Sequence, residues 1–361
     1  MRWRDFGFIL PFILALLPVL AVAWITAGLP ANFGAWLPLI VIFVVLPLLD
    51  VVCGADASNL DPHDAERIDR LPYFRVLTLL TLPTWLLVLG YSAYMLQQLP
   101  LGAIGMLGWI LSTGVLGGIL AINPAHELIH KSGAFERAAG GVLLSSVGYH
   151  GFKIEHVRGH HVHVATPQDS SSARLGESVY AFVPRALLHN VRNAWRLEAQ
   201  RLRQGGKSPW SLHNEMLMWT VLWLILLGVF WLWLGALGAA FFIVQGVLAA
   251  TSLEIINYIE HYGLLRAQIA PDRYERVTHL HSWNSSQRLS NWLLFNLQRH
   301  SDHHAIARRR YQVLVHHDDS PQLPAGYATM FVLALLPPLW RYVMDRRVLH
   351  SRQSRGIPAA L

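Results

Sequence analysis

The sequence predicts an all-α integral membrane protein, with six transmembrane helices and a polar helical cap on one side of the bilayer. Composition is the first reason: of 361 residues, 53% are hydrophobic and only 14% are charged, and the mean hydropathy is +0.34. Soluble domains carry about a quarter charged residues. These values exclude an ordinary soluble domain and a disordered chain. The single cysteine, Cys53, excludes a disulfide scaffold and an iron–sulfur cluster held within the chain.

Six apolar stretches are the second reason, because a helix that crosses a bilayer needs about 20 apolar residues. We place the spans at about 7–28, 32–51, 76–96, 101–122, 216–236 and 238–258. The last two share the uncharged run Met216–Leu253, which is too long for one span. We therefore expect the chain to turn back in the Gly235–Gly238 region. A buried core helix is the alternative for any one run, but not for so many.

The positions of the cations are the third reason. All 29 Lys and Arg fall on one side of the six-span scheme, and the three loops on the other side carry none. Because cations concentrate in cytoplasmic loops, we expect both termini and the polar segments 123–215 and 259–361 in the cytoplasm. This describes a multi-pass protein of a bacterial-type inner membrane, with residues 1–361 as a single membrane-bound domain. The net charge of +7 then reflects topology rather than binding to nucleic acid.

Histidine is the unusual residue: the chain has 19 His beside 22 acidic residues. Nine of them form four groups in the cytoplasmic segments, three of which lie near span ends: His126 and His130; His156, His160 and His161; His261; and His300, His303 and His304. His126 and His130 are at i and i+4, so both project from one helix face. Nine imidazoles exceed what one ion can bind, so the cap is predicted to carry a histidine-rich dinuclear metal site. Spacing does not choose between iron and zinc.

Other interpretations of these histidines remain open at this point. His126-Glu127-Leu128-Ile129-His130 matches the zinc metalloprotease motif, with Glu127 as the general base, but it leaves the other groups unexplained. A metal transporter should carry its ligands near mid-bilayer rather than at span ends. Carboxylates beside the ligands either orient imidazoles through their second nitrogen or face water; they are Glu127, Glu155, Glu260 and Asp302. Four further histidines are either supporting or surface residues: His150, His163, His279 and His281.

The four groups and their flanks together resemble the integral-membrane alkane 1-monooxygenase family, within the wider group of membrane fatty-acid desaturases and hydroxylases. The resemblance covers most of the chain. Its blocks are His126–Lys131, Glu155–His161 with the continuations Val164–Pro167 and Ala173–Ser178, Asn257–Leu264, Leu297–Ala305, Arg310–Gln312 and Leu323–Tyr327. The block Asn257–Leu264 is particular to alkane hydroxylases.

The resemblance implies two non-haem iron ions, with the nine histidines as ligands and no catalytic residue beyond the metal site. It implies a reaction in which dioxygen and two electrons convert a terminal C–H bond of an alkane to a primary alcohol. The electrons would come from a rubredoxin, reduced in turn by a rubredoxin reductase. Since a rubredoxin fold needs four cysteines, the donor must be a separate protein.

Two further expectations concern the partner and the substrate. The basic stretch Pro184–Lys207 is either a solvated helix, a helix lying on anionic lipid, or a dock for an acidic partner; we predict that rubredoxin docks at Arg192, Arg196 and Arg201. A substrate passage is expected on the second, third, fourth and sixth spans, and Asp50–Cys53 is a hypothesis for setting chain length. Related enzymes that hydroxylate alkyl-aromatic or fatty acyl substrates are the alternative within the same group.

Overall fold

The computed structural model describes residues 3–357, and over this range the chain is mostly helical, with one small hairpin and several irregular segments. The α-helices are α1 (Leu10–Leu14), α2 (Leu17–Thr26), α3 (Ala31–Gly34), α4 (Leu37–Ile40), α5 (Leu46–Cys53), α6 (Pro62–Asp69), α7 (Pro72–Gln98), α8 (Ala103–Gly117), α9 (Asn123–Ile129), α10 (Ala134–Ser146), α11 (Phe152–Glu155), α12 (His161–His163), α13 (Val179–Gln204), α14 (Glu215–His261), α15 (Arg288–Leu293), α16 (His300–Ala305), α17 (Tyr327–Ala334) and α18 (Pro337–Ser354).

Shorter elements complete the chain. One-turn π-helical segments join α4 to α5, α8 to α9 and α11 to α12; they are Val41–Val45, Gly118–Ile122 and His156–His160. The 3₁₀ segments are Trp3–Ile9, His279–His281 and Tyr311–Val313. Two antiparallel strands, β1 (Gln268–Ala270) and β2 (Arg273–Tyr274), form the hairpin.

Within residues 3–357, three helices are long and apolar enough to cross a membrane: α7, the continuous helix Ala103–Ile129, and α14. A fourth candidate is the pair Arg4–Leu14 and Leu17–Thr26, which is bent by 46°. The helix Leu37–Cys53 is also apolar but shorter. Each of the six predicted spans thus falls on apolar helix, and the predicted spans 216–236 and 238–258 both lie within α14.

Gly235 divides α14 into two halves that run back along each other. Its backbone angles, φ 67° and ψ −159°, belong to a region that is essentially restricted to glycine. The rings of Phe230 and Phe242 stack with centroids 4.9 Å apart, although a straight helix would separate these residues by about 18 Å at about 1.5 Å per residue. The reversal lies in the predicted Gly235–Gly238 region.

The three cation-free loops meet at one end of the molecule. The side chain of Asn32 accepts a hydrogen bond from the backbone N–H of Gly102 at 2.9 Å, which joins the first loop to the second. Gln97 donates to the carbonyl of Leu234 at 2.7 Å, which joins the second loop to the turn in α14. This arrangement places the histidine-bearing ends of α9 and α14 together at the opposite end.

The largest apolar core packs α7, α8, α10 and α14 together. Trp85 is fully buried in this core and donates to Ser146 at 2.8 Å. Leu128 and Ile129 on α9 belong to the same core, so the helix that carries His126 is held rigidly. A second core, which includes Tyr258, Tyr262 and Trp340, fixes the end of α14 against α17 and α18.

Candidate metal centre

The first histidine segment is the last turn of a helix that begins within the apolar core. The π-helical segment Gly118–Ile122 leads directly into α9, with Pro124 in its first turn. His126 lies on α9 and His130 ends it, and their rings lie 5.4 Å apart, as expected for i and i+4 on one face.

The second segment owes its arrangement to a π-helical turn at His156–His160. This wider turn hydrogen bonds from i to i+5, and it brings the rings of His156 and His161 to 4.6 Å, with their Nε2 atoms 3.0 Å apart. His160 faces a different set of imidazoles. A regular α-helix would not place His156 and His161, which are five residues apart, on one face.

The nine predicted histidines all lie together, in two groups. The five-histidine group contains His126, His130, His156, His161 and His303, and the four-histidine group contains His160, His261, His300 and His304. Within each group, the ligand atoms lie within 4.8 Å of one another. The rings of His161 and His304 stack at 4.4 Å, so the two groups are adjacent.

The nitrogen atoms inside these groups have the pattern expected of metal ligands. In the four-histidine group, Nε2 of His304 lies 2.9 Å from Nε2 of His300 and 3.2 Å from Nε2 of His160. In the five-histidine group, Nε2 of His126 and of His130 are buried without a hydrogen-bond partner. Buried polar atoms are rarely left unpaired in native proteins. A cation bound in each group would satisfy these nitrogens, so the residues fit a metal.

Burial also favours the protonation state that a metal requires. Removal from water, reinforced by neighbouring imidazoles, lowers the pKa of the cap histidines well below the ordinary value; this applies to His156, His161, His300, His303 and His304. These rings are therefore neutral near pH 7, and neutral imidazole is the ligand form.

Comparison with known proteins assigns this arrangement to a family. The fatty acid desaturase family model matches residues 101–334. Alkane 1-monooxygenase 2 of Pseudomonas aeruginosa PAO1 is 49% identical over 96% of this chain and 93% of its own length. Alkane 1-monooxygenase 1 of the same organism is 52% identical over 90% of this chain and 89% of its own length. The chain belongs to the alkane 1-monooxygenase family.

A third relative is a hydroxylase that is named for a different substrate. The hydroxylase component of xylene/toluene monooxygenase from Pseudomonas putida is 31% identical over 90% of this chain and 85% of its own length. The identity is thus clearly lower than for the two alkane 1-monooxygenases. Membership also makes this a membrane oxidoreductase, in agreement with its apolar helices.

The four carboxylates proposed from the sequence to support the ligands have different partners. Glu127 forms an ion pair with Lys131 at 2.8 Å. Glu155 accepts from Asn193 at 3.2 Å. Asp302 accepts from the guanidinium of Arg309, the N–H of Val315 and Nε2 of His317. Glu260 does reach a cluster imidazole, because its Oε2 lies 3.2 Å from Nε2 of His300, but this is the inner nitrogen rather than the outer one.

Asp169 is the supporting carboxylate that sequence reasoning missed. It accepts from Nδ1 of His160 at 2.9 Å and from the hydroxyl of Ser172 at 2.6 Å. Burial alone would raise its pKa, but His160 and Ser172 outweigh that effect and lower the pKa to about 2. A carboxylate on the outer nitrogen of a ligand imidazole is the usual second layer of a metal site in proteins. The one signal in the sequence is an acidic residue soon after the second histidine segment.

A narrow apolar cavity lies among the apolar helices, near the histidine end of the molecule. No charged residue lines it; the lining is Leu14, Ile42, Phe43, Leu46, Val115, Gly118, Ile119, Asn123, Ser252, Leu253, Ile256, Ser290, Leu293, Leu294, Leu297, Tyr327, Ala328 and Phe331. The second, fourth and sixth predicted spans contribute as expected, but the first does so instead of the third. Val51 and Val52 are 82% exposed and are not part of the lining.

A smaller, separate cavity lies beside the five-histidine group. It is lined by His126 and His303 from the five-histidine group, and it shares Asn123 and Leu297 with the apolar cavity. Asn123 and Leu297 therefore border both the apolar cavity and the space beside His126 and His303.

The predicted docking arginines lie on or near the outer face of α13. All three arginines are exposed. Arg201 pairs with Glu198 at 2.6 Å, and Arg196 donates to Asn193 at 2.7 Å. Of the four additional histidines, none joins either group: His150 contacts Thr220, His281 contacts Glu275, His279 contacts Asp319, and His163 lines a separate polar cavity.

Proposed function

We propose that the protein hydroxylates the terminal carbon of alkanes at a pair of iron ions held by the nine histidines. The observation that carries this proposal is the convergence of two imidazole groups close to an uncharged cavity, with Asn123 and Leu297 bordering both that cavity and the space beside His126 and His303. An unactivated C–H bond offers no group for acid–base or nucleophilic attack, so the bound iron supplies the activation of dioxygen that the reaction needs. One ion would be held by the five-histidine group and the other by the four-histidine group.

The protein itself binds the substrate, orients it and excludes water from the site. The apolar cavity accepts a hydrocarbon that is dissolved in the bilayer, and its side chains exclude water from the reacting carbon. Asn123 and Leu297 border both cavities, so they are placed to direct the end of the substrate toward His126 and His303. Asp169 fixes the orientation of the His160 ring, and Glu260 places a carboxyl oxygen beside Nε2 of His300.

The substrate test compares octane, hexadecane, xylene and a fatty acid as substrates, with a generic rubredoxin and its reductase as electron donor. We expect primary alcohols from the alkanes at the highest turnover, and two iron ions per chain. Preferential oxidation of xylene would instead favour an alkyl-aromatic hydroxylase. The 31% identity to the xylene/toluene monooxygenase component is the reason for including this substrate. Active protein without iron would contradict the proposal.

A zinc protease built on His126–His130 has less support. In that mechanism Glu127 would serve as the base beside the metal, but its carboxylate is paired with Lys131, which in turn donates to the carbonyl of Arg309 at 3.0 Å. The other seven histidines would also have no role.

The proposal includes an orientation and a partner. Six spans in a bacterial-type inner membrane, with both termini in the cytoplasm, account for the absence of cations at one end. The electron donor is then a cytoplasmic rubredoxin that approaches the basic face of α13. We expect Arg192→Ala to raise the KM for rubredoxin more than Arg201→Ala, since Arg201 is already neutralised by Glu198.

A further inference from the structure

A third cluster of metal-ligating side chains lies outside the two histidine groups, on the surface of the cap. His279, His317 and Asp319 place their ligand atoms within 4.8 Å of one another. His279 belongs to the 3₁₀ segment His279–His281, and the other two follow Tyr311–Val313. The three residues come from two separate segments, so the fold rather than local spacing brings them together.

The three side chains are arranged like an open metal site in which one ligand histidine is already oriented by a carboxylate. Nε2 of His279 lies 2.9 Å from a carboxylate oxygen of Asp319. The rings of His279 and His317 are nearly parallel, with centroids 4.3 Å apart. Nε2 of His317 donates to Asp302 at 2.9 Å, which leaves Nδ1 as the nitrogen for a metal. Asp302 is itself fixed by Arg309 at 2.6 Å, so it orients the ring as a carboxylate behind a ligand histidine does.

We propose that His279, His317 and Asp319 form a third metal site, which takes one divalent ion of the zinc type with water in the remaining positions. Two imidazoles and one carboxylate suit Zn²⁺ or Co²⁺. A shared ion requires the His279 ring to tilt toward His317, and the side chain of His279 is 27% exposed, so there is room for this movement. The exposed carboxylate of Asp318 adds negative charge nearby. Unlike the buried groups, this site exchanges its ion with solvent.

A surface ion pair between His279 and Asp319 is the simpler interpretation of two of the three residues. A simple ion pair does not explain why His317 stacks on His279. It also does not explain why the buried carboxylate of Asp302 holds the other side of the His317 ring. The two interpretations differ in one measurable property, which is the binding of an additional ion by the intact protein.

The test titrates Co²⁺ and then Zn²⁺ into the full-length protein, with its resident metal quantified before and after. We expect one additional equivalent to bind, seen as cobalt d–d absorption that zinc displaces, and slower hydrogen exchange in residues 314–322 on binding. His279→Ala and Asp319→Asn should each weaken binding at least about tenfold. His350→Ala, which changes an exposed histidine of α18, should bind as the unmodified protein does.

Three results would overturn the proposal. The first is that the unmodified protein takes up no additional ion. The second is that the His279→Ala and Asp319→Asn variants bind it with unchanged affinity. The third is that uptake is matched by loss of the resident metal, because the added ion would then occupy the nine-histidine centre.

Discussion

The hydrogen bond between Asp169 and His160 joins the loop after the second histidine segment to the metal centre. Asp169 is buried and is fixed by Ser172 and by the backbone N–H of Ser171. His160 belongs to the four-histidine group, and its inner nitrogen faces His304. A carboxylate that accepts a hydrogen bond from the outer nitrogen makes the imidazole a stronger ligand and fixes which nitrogen carries the proton.

Replacing Asp169 with Asn should therefore weaken metal binding without removing a ligand. We expect Asp169→Asn to lower metal affinity or turnover by about 10- to 100-fold, measured as metal per chain after dialysis against a chelator and as alcohol formed. The matched control is Asp272→Asn, in the hairpin turn at φ 55°, a conformation that Asn tolerates. Equal metal retention in both variants would show that Asp169 has no part in the centre.

The ligand residues could be predicted from the sequence at this scale, but most of their supporting contacts could not. His126 and His130, and likewise His300 and His304, are four residues apart on a helix, so each pair shares a face. His303 joins the five-histidine group, which the spacing does not indicate. Asp169 lies in a loop, where no period relates it to His160. For Glu127, the i+4 spacing to Lys131 indicates an ion pair on one helix face, and the structure contains that pair.

Helix α14 depends on the turn at Gly235 for its reversal. The backbone there is strained for any residue with a Cβ, so Gly235→Ala should destabilise the protein by about 1–3 kcal/mol. Gly228→Ala is the matched control in the same helix, with nothing near its added methyl; it should be neutral or stabilise by about 0.5–1 kcal/mol. Thermal unfolding of the purified variants measures both, and shifts of the same sign would refute the distinction.

Glu198 ties α13 to the beginning of α14. It accepts from Arg201 at 2.6 Å, from Arg158 at 2.7 Å and from the backbone N–H of Glu215 at 2.9 Å. Burial alone would raise its pKa, but these three bonds outweigh burial and lower the pKa to about 2. Because the folded pKa is below the unfolded one, the stabilisation is fully present above about pH 4.5 and is lost as the pH falls toward 2.

We therefore expect Glu198→Gln to destabilise the protein by about 1–3 kcal/mol at pH 7, and by progressively less as the pH falls below about 4.5. Thermal midpoints of both proteins, measured from pH 7 down to pH 3.5, give the difference. Glu66→Gln should have little effect at any pH, since Glu66 and Arg70 form an exposed pair. A difference that does not change with pH would mean that the Glu198 charge is not what matters.

At the scale of elements, length and hydropathy predicted the apolar helices well and the cap poorly. The run 76–96 lies within α7, and all but the first two residues of the run 101–122 lie within the helix Ala103–Ile129. A helix that crosses a bilayer needs a long uncharged stretch, which hydropathy detects. The 46° bend near the N-terminus and the π-helical turn at His156–His160 come from tertiary packing and local backbone geometry, which hydropathy does not register.

The whole molecule has two chemically distinct ends. One end joins the cation-free loops through Asn32 and Gln97, and the other gathers nine histidines from four segments. The helix α7, which runs between them, is about 40 Å long at about 1.5 Å per residue, enough to cross a bilayer. Under the proposed function, a substrate dissolved in lipid and electrons from an aqueous donor would therefore reach the metal centre from different directions.

The orientation of these ends can be tested with the native cysteine. Cys53 is the only cysteine of the sequence and is exposed. It follows the second predicted span, at the end that we propose faces the cytoplasm. We expect a membrane-impermeant maleimide to leave it unlabelled in intact spheroplasts and to label it in inverted vesicles. In a Cys53→Ser background, Gln98→Cys and Ala236→Cys lie in the two loops at the opposite end and should show the reverse pattern. Labelling of Cys53 in intact spheroplasts would reverse the proposed orientation and would place the metal centre on the side away from a cytoplasmic electron donor.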